Sequence, residues 1–328
     1  MDTQKICSIL DSRYELTKML GSGFSSLVYL VKDLKDNNKE YAAKVFKEYG
    51  KDYNNEIEIN QKLSEINSPS FVKYITSSVG CLHKGPKKEL KPYIIFEFAS
   101  KGDIISYIRS NNTGLSEKNC KIIFAKILKT VETLHKFGIC HRDLKLDNFL
   151  FDGDDFNVKL ADFAFASLIP LNKYGQKELI KGIFGTTQYA APEVHTGKSY
   201  NGEKVDIFSL GVILFTLKTC SFGFRSSQYD PNTIYLGEKL YSFIKNKRYQ
   251  DYWKILSMST KKVENLSEEF KDLFLRLVAF NPNERPTIEE IYNHKWMKEI
   301  KDLNEKELRE YENDLLNDLK NRELILNN

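Results

Sequence analysis

Apolar and polar residues alternate in short runs along the first hundred positions, which is the pattern of half-buried β-strands. The runs are rich in tyrosine, valine and isoleucine, and turn-forming residues separate them. The predicted strands are YELTKML (14–20), SLVYLVKD (26–33), EYAAKVF (40–46), FVKYIT (71–76) and PYIIFEF (92–98). The basic stretch HKGPKKELK (83–91) is predicted to be a solvated hairpin connection.

Elsewhere the spacing of apolar residues is that of helices. One helix is predicted among the strands, from about Asp52 to Ile66, with Pro69 just beyond its end. Beyond residue 100 helical spacing dominates. Ser116 can cap a long helix, and the segment VDIFSLGVILFTL (205–217) is apolar on nearly every side, as in a central buried helix. The fold class is therefore α+β, an antiparallel sheet with one main helix followed by a mainly helical part.

The composition excludes several classes of protein. The 328 residues are 41% hydrophobic, enough for a sizeable core, and the length favours two lobes or domains. The formal net charge of +4 is spread over 49 basic and 45 acidic residues, so we expect neither nucleic acid nor an anionic membrane as a partner. No apolar stretch has the length of a membrane span, and five scattered cysteines suit a reducing compartment. We expect a cytoplasmic protein, with access to the nucleus left open.

Two stretches in the strand-rich part carry residues suited to phosphate chemistry. The glycines of LGSGFSSLVYL (20–30) permit a tight loop whose peptide N–H groups could meet phosphate oxygens. A strand follows this loop, which excludes a dinucleotide-binding turn, since that turn opens a helix. In AAKVF (42–46), Lys44 lies inside an apolar strand. A lysine at the edge of a strand would reach solvent, whereas a buried lysine needs a carboxylate as its counter-charge. Glu56 is the first candidate for this carboxylate, and Glu58 is the second.

Two further stretches concentrate charge within apolar surroundings. HRDLKLDNFL (141–150) packs an imidazole, two carboxylates, two cations and an amide ahead of an apolar strand, which a charged surface turn would not explain. KLADFAFASL (159–168) places the single carboxylate of Asp162 in a largely apolar run.

In this order and spacing, the motifs resemble those of the eukaryotic protein kinases, serine/threonine branch, from about Tyr14 to Lys298. The resemblance implies a bilobal fold, with an N-lobe at about 14–96 and a C-lobe at about 97–300. Residues 1–13 would be an N-terminal extension, and 301–328 a charged helical tail. The implied activity is transfer of the ATP γ-phosphate to Ser/Thr hydroxyls of protein substrates, with ATP and Mg²⁺ as cofactors.

The resemblance also assigns residues to the nucleotide. Lys44 would pair with Glu56 and hold the α- and β-phosphates. Phe96 would be the gatekeeper, and Asp103 would reach the ribose. The other residues assigned to the glycine-rich loop and the adenine pocket are Leu20, Gly21, Ser22, Gly23, Phe24, Ser26, Val28, Ala42, Glu97, Phe98, Ala99 and Leu150.

The remaining assignments concern phosphoryl transfer. Asp143 would accept the proton of the substrate hydroxyl, and Lys145 would steady the γ-phosphate. Asn148 and Asp162 would hold the two magnesium ions. Lys145, together with Thr186 before the APE motif, is typical of the serine/threonine branch. Scaffold roles are implied for three further residues. Glu193 and Arg285 would form a buried pair, and Asp206 would be a buried anchor for the HRD turn.

Some positions depart from the family pattern. Ala164 replaces the glycine of DFG and resists positive φ, so we predict an effect on switching between loop states with metal binding retained. Asn60 is polar where an apolar residue is usual. These two residues are the support for the alternative function, a pseudokinase scaffold or nucleotide-binding regulator. In the activation segment, 167–184, only Ser167 and Tyr174 carry hydroxyls, which predicts ordering without added phosphate.

The charged tail has helical spacing and a capping pair at Asn304 and Glu307. Packing of this helix on the second lobe is the simplest interpretation. Autoinhibition, or pairing with a regulatory partner, is the alternative.

Overall fold

The computed structural model describes residues 8–23, 25–224 and 231–327, with only the backbone described for 231–237. Phe24 and residues 1–7 of the predicted extension lie outside the described residues. The chain divides into two compact units, Met1–Ser100 with Lys159–Ala166 and Lys101–Val158 with Ser167–Asn328. The sequence suggested one boundary near residue 97, whereas the structure groups the segment around Asp162 with the first hundred residues.

Six antiparallel strands form the sheet of the first unit, in the order β1-β2-β3-β4-β6-β5. Their bounds are β1 Ser8–Leu10, β2 Tyr14–Ser22, β3 Ser26–Asp33, β4 Lys39–Phe46, β5 Tyr74–Lys84 and β6 Lys87–Glu97. The predicted antiparallel sheet is found, and it closes into a barrel because β1 pairs with both β2 and β5. A strand of only three residues, such as β1, is too short to show the alternation of apolar and polar residues that predicts a strand. Tyr14, Val31, Ala43 and Ile95 are among the residues that fill the core of the barrel.

The last two strands of the barrel extend further than the sequence indicated. The strand predicted at 71–76 begins at Tyr74 in the structure. The basic stretch that was predicted as a loop belongs mostly to β5 and β6, whose last residue pair is Lys84 with Lys87. The hairpin itself is confirmed, with its turn at Gly85. Lys87 to Leu90 are exposed, so these residues lack the apolar alternation that would have indicated a strand.

Helix α1, Lys51–Ile66, confirms the one helix predicted for this unit. Its buried face includes Tyr53, Glu56, Ile59 and Asn60. The polar Asn60 is satisfied there, because its side-chain amide donates to the carbonyl oxygen of Glu56 at 2.8 Å. Asn60 is therefore accommodated without a buried unpaired amide N–H.

The second unit is mainly helical, as predicted. Its helices are α2 Ile104–Arg109, α3 Glu117–Lys136, α4 Gly202–Thr219, α5 Pro231–Lys245, α6 Tyr249–Ser259, α7 Glu268–Leu277, α8 Ile288–Tyr292, α9 Lys295–Lys301 and α10 Glu305–Leu326. The short strands of this unit are β7 Gly102–Asp103, β8 Ile139–Cys140, β9 Phe149–Asp152 and β11 Ser167–Leu168. Strand β10, Asn157–Leu160, contains the boundary between the two units, which follows Val158. The predicted cap of α3 is confirmed, since the Ser116 side chain accepts from the Asn119 N–H.

The tail forms α10, which packs against α2 and α3 in the second unit. The predicted capping box of Asn304 and Glu307 is confirmed. Leu315 and Leu319 are buried, as is Arg322. The tail is thus a packed part of this unit. Among the described residues, no helix combines the length and the apolar character that crossing a membrane requires.

Candidate active site

Three charged side chains meet in the first unit. The Nζ of Lys44 on β4 lies 2.7 Å from both carboxylate oxygens of Glu56 on α1, and 2.7 Å from the Oδ1 of Asp162. Lys44 and Glu56 are almost fully buried, whereas the Asp162 side chain is 42% exposed. The predicted pair of Lys44 and Glu56 is confirmed, and Glu58, the second candidate, is exposed on the same helix.

Burial and charge act in opposite directions on this group. Burial lowers the pKa of the Lys44 ammonium, but the negative charges of Asp162 and Glu56 outweigh burial and leave that pKa above its ordinary value. Burial also raises the pKa of the Glu56 carboxyl to about 7, although Lys44 opposes this shift. One ammonium therefore serves two carboxylates, and Lys44 stays charged across the physiological range.

The segment after Asp162 is fixed within the first unit. Phe163 is buried and packs edge-on against Phe71, with ring centroids 5.9 Å apart. The side-chain amide of Asn55 donates to the carbonyl oxygens of Ala164 and Ala166, at 3.3 and 3.1 Å. The positive φ in this turn, 60°, falls on Asp162, and Ala164 has an ordinary negative φ. Alanine at position 164 therefore causes no backbone strain in this conformation.

The residues assigned to the nucleotide-binding loop and adenine pocket lie along paired strands. Val28 on β3 is opposite Gly21 on β2 and opposite Lys44 on β4, and Ala42 is opposite Phe96. The Gly23 N–H donates to the carbonyl of Ser26 at 2.8 Å, which closes the β2–β3 hairpin. Leu20 and Ser22 lie on β2 of this hairpin, and Glu97, Phe98 and Ala99 follow on from Phe96 at the end of β6.

Two of the pocket residues have structural contacts of their own. The Glu97 carboxylate accepts hydrogen bonds from the Lys159 ammonium and from the backbone N–H of Lys73, each at 2.8 Å. All three residues belong to the first unit. In the second unit, Asp103 caps α2 by accepting the Ser106 N–H at 2.8 Å. Leu150 lies directly opposite Asp103 in the pairing of β7 with β9.

The HRD stretch forms a compact hydrogen-bonded turn in the second unit. The Lys145 ammonium lies 2.8 Å from the Asp143 carboxylate and 2.9 Å from the Thr186 hydroxyl. The Thr186 N–H donates to the other Asp143 oxygen at 2.6 Å. The Asn148 amide nitrogen donates to the Asp143 carbonyl at 2.9 Å, so its side-chain oxygen is the atom suited to act as a ligand.

Asp206 anchors this turn, as the sequence predicted for its buried carboxylate. It is fully buried at the start of α4 and accepts the N–H groups of His141 and Arg142, each at 2.8 Å. Its third contact is the ring of His135, also at 2.8 Å. Three hydrogen bonds compensate the burial of the charge. Arg142 has a φ of 65°, and these bonds hold the backbone in that strained conformation.

The predicted pair of Glu193 and Arg285 is confirmed as well. The two guanidinium nitrogens of Arg285 meet the two carboxylate oxygens of Glu193 at 2.6 and 2.8 Å. The Arg285 side chain is fully buried and also donates to the carbonyls of Ala279 and Lys204. A bidentate geometry with further acceptors is what a buried guanidinium needs.

Asn148 and Asp162, the two predicted magnesium ligands, belong to different units. Within the described residues, no group of three or more His, Cys, Asp or Glu side chains has the arrangement of a metal site. The carboxylate of Asp162 and the amide oxygen of Asn148 are the hard oxygen ligands that suit Mg²⁺, which is commonly bound by few protein ligands together with substrate phosphates. Each of these two side chains therefore carries an oxygen of the kind that Mg²⁺ binds.

Two residues of this region were not predicted from sequence. Asn55 looks like any polar residue on a helix, and only the fold brings it to the segment after Asp162. Phe184, in the activation segment, lies with its ring against the guanidinium of Arg142. Its apolar character gave no signal of a role in the site.

Comparison with known proteins places these features in a family. The model of the protein kinase domain matches residues 14–297. NUAK family SNF1-like kinase 1 of Homo sapiens is 30% identical over 300 residues, which cover 88% of this chain and 39% of that protein. Serine/threonine-protein kinase SIK1 of Rattus norvegicus is 31% identical, covering 87% of this chain and 32% of its own.

A third relative is serine/threonine-protein kinase cds1 of Schizosaccharomyces pombe, 28% identical over 87% of this chain and 58% of its own length. The chain thus spans less than two thirds of each of these three relatives. The family match covers most of the chain and contains Lys44, Asp143, Asn148 and Asp162. This chain belongs to the protein kinase family.

Proposed function

We propose that this protein is an active serine/threonine kinase that transfers the γ-phosphate of ATP to hydroxyl groups of protein substrates. Its relatives are named as serine/threonine kinases, and membership of the family implies the bilobal kinase fold. The observation that carries the proposal is the contact of Lys145 with both the Asp143 carboxylate and the Thr186 hydroxyl. Lysine and threonine at these two places are what the serine/threonine branch combines.

The chemistry assigned to the second unit is proton acceptance and charge stabilisation. Asp143 accepts the proton of the substrate hydroxyl as the oxygen attacks the γ-phosphorus, and the bond to the bridging oxygen of ADP breaks. The Thr186 N–H and Lys145 hold the two Asp143 oxygens, so the carboxylate is oriented before the substrate arrives. Lys145 also offers positive charge to the transferred phosphoryl group.

In the first unit, Lys44 holds the α- and β-phosphates, and Glu56 fixes the position of the Lys44 ammonium. Asn148 and Asp162 would hold Mg²⁺, which neutralises phosphate charge when bound. Phe96 is the gatekeeper, and Asp103 contacts the ribose in addition to capping α2. The remaining contacts to the glycine-rich loop and adenine are assigned to Leu20, Gly21, Ser22, Gly23, Phe24, Ser26, Val28, Ala42, Glu97, Phe98, Ala99 and Leu150.

The non-catalytic alternative has no support in the residues that suggested it. Ala164 has an ordinary backbone conformation, and the Asn60 amide N–H is hydrogen-bonded inside α1. We also propose a cytoplasmic location. All four described cysteines, Cys81, Cys120, Cys140 and Cys220, are free thiols, as a reducing compartment favours.

The test is transfer of labelled phosphate from ATP with Mg²⁺ to a mixed protein substrate. Wild type should label the substrate on serine and threonine, and Asp143→Asn should abolish the labelling. Asp155→Asn, the same change at an exposed position, is the matched control and should behave as wild type. No transfer by wild type, with Mg²⁺ and ATP still bound, would leave the scaffold function instead.

A further inference from the structure

The activation segment contacts the HRD turn through a stack that involves no phosphate. The guanidinium carbon of Arg142 lies 4.3 Å from the centroid of the Phe184 ring. The same side chain donates to the carbonyl of Lys181 at 3.3 Å. A cation over an aromatic face at this distance is attracted by the ring, and Phe184 is half-buried, which strengthens the attraction.

This stack lies beside the hydrogen bonds that orient Asp143. Arg142 immediately precedes Asp143 in the chain, and Phe184 precedes Thr186 by two residues. Thr186 is the residue whose N–H donates to the Asp143 carboxylate and whose hydroxyl meets Lys145. The stack and these hydrogen bonds therefore join the same two segments of chain at adjacent points.

Two glycines show how closely the segments fit. A Cβ atom on Gly182, which has a φ of 120°, would lie 2.0 Å from the Phe184 ring. A Cβ on Gly185, which has a φ of 94°, would lie 2.5 Å from the carbonyl oxygen of Arg142. The Tyr200 hydroxyl donates to the Gly182 carbonyl at 2.8 Å and holds this part of the segment on the body of the unit. Gly182 thus leaves room for the Phe184 ring, and Gly185 lets the segment approach the backbone of Arg142 closely.

We propose that Phe184 is a positioning residue, which holds Thr186 against Asp143 through its stack on Arg142 and so orders the activation segment without phosphorylation. The proposal rests on the proposed kinase activity and adds the means by which the segment is ordered. Asp206 fixes the backbone of Arg142, and the hydrogen bond from the Arg142 guanidinium to the Lys181 carbonyl holds the side chain beside the ring.

The experiment compares Phe184→Ala, Phe184→Leu and Phe184→Tyr after phosphatase treatment of the full chain. Without the ring face, Phe184→Ala and Phe184→Leu should lose about tenfold or more in kcat with little change in KM for ATP, because Asp143 is less well oriented. Phe184→Tyr keeps the ring and should retain activity. Ile183→Ala, at the exposed neighbouring residue, is the control and should match wild type.

A second measurement does not depend on catalysis. Amide hydrogen exchange at Thr186 should become faster in Phe184→Ala and Phe184→Leu and stay slow in Phe184→Tyr, even if the protein transfers no phosphate. Exchange in α4 reports whether each variant is folded, and Phe184→Leu, which keeps most of the volume, serves if Phe184→Ala does not fold. The proposal is wrong if Phe184→Leu keeps both wild-type kcat and slow exchange at Thr186, or if Phe184→Tyr fails as Phe184→Leu does.

Discussion

Asn55 of helix α1 donates to the carbonyl oxygen of Ala164, and from the same amide nitrogen to Ala166. The helix that supplies Glu56 to the lysine thus also holds the turn that carries Asp162. Two successive residues of α1 therefore determine the position of two different parts of the candidate site.

Asn55→Ala should destabilise this turn. It removes the two hydrogen bonds that the Asn55 amide donates to these carbonyl oxygens, which costs about 1–2 kcal/mol in the free energy of unfolding. Urea denaturation measures the loss, and hydrogen exchange at residues 162–166 should become faster. Asn54→Ala, at the exposed neighbour, is the control. Equal effects of the two substitutions would mean that the Asn55 contacts contribute nothing beyond helix propensity.

Ala164→Gly should change turnover only modestly. Ala164 has an ordinary φ, so glycine relieves no strain and mainly increases the freedom of the chain, by roughly 0.5–1 kcal/mol. A change in kcat of a few-fold is expected from steady-state assays at saturating ATP. An increase of about a hundredfold or more would show that alanine impairs catalysis strongly, contrary to the ordinary backbone seen here.

Glu193→Ala should be strongly destabilising. It leaves the fully buried guanidinium of Arg285 without its counter-charge, at a cost on the order of 3–5 kcal/mol. Chemical denaturation monitored by tryptophan fluorescence measures the difference. Glu284→Ala breaks the exposed pair with Lys247 and should change the free energy of unfolding very little. Similar costs for the two substitutions would contradict the distinction between buried and exposed pairs.

The pair of Arg13 and Asp33 should make stability depend on pH in acid. Hydrogen bonds from Arg13 outweigh burial and hold the pKa of the Asp33 carboxyl below its ordinary value. The unfolded chain therefore takes up this proton at a higher pH, near the usual aspartate pKa of about 3.9, than the folded chain. The contribution of the pair is complete above that pH and is lost as the pH falls through the lower, folded value.

Urea denaturation between about pH 2.5 and 6 tests this pair. Asp33→Asn should be less stable than wild type at pH 6 and should lose less stability on acidification. The same substitution at the exposed Asp302 should leave the acid dependence of wild type unchanged. Parallel curves for wild type and Asp33→Asn would exclude the pair as a source of the acid sensitivity.

Arg322→Ala should detach the tail helix. The Arg322 guanidinium is buried and donates to the carbonyls of Tyr107, Thr113 and Gly114 and to the Asn111 side chain. Its removal breaks these four hydrogen bonds and the ion pair with Asp318, so we expect a loss of roughly 3 kcal/mol or more and faster proteolysis within residues 305–326. Arg309→Ala, at a side chain that is 78% exposed, should have little effect. An intact, protease-resistant tail in Arg322→Ala would contradict this account.

The sequence predicted those parts of the molecule that depend on local pattern and on motifs. Helix α1, the cap of α3 and the pair of Lys44 with Glu56 could be predicted from apolar spacing and buried charge, and the resemblance to the kinases implied the pair of Glu193 with Arg285. The roles of the site residues toward nucleotide and substrate remain predictions.

Contacts between segments distant in sequence could not be predicted in this way. Strand β1 has only three residues, and the contacts of Asn55 and Phe184 depend on segments more than 40 residues away. A polar residue on a helix and a phenylalanine in a loop have many possible partners. Which partner each side chain contacts depends on the tertiary fold of the chain.

The pairing of β1 on both of its sides has a consequence for association between molecules. An unpaired strand edge offers backbone N–H and C=O groups to the strands of other chains, which leads to aggregation. In the described barrel, Ser8–Leu10 covers Tyr14–Leu16 of β2 on one side and Leu82–Lys84 of β5 on the other. Proteolysis that removed these three residues would uncover two edges at once. The start of this barrel therefore protects the protein from intermolecular strand pairing.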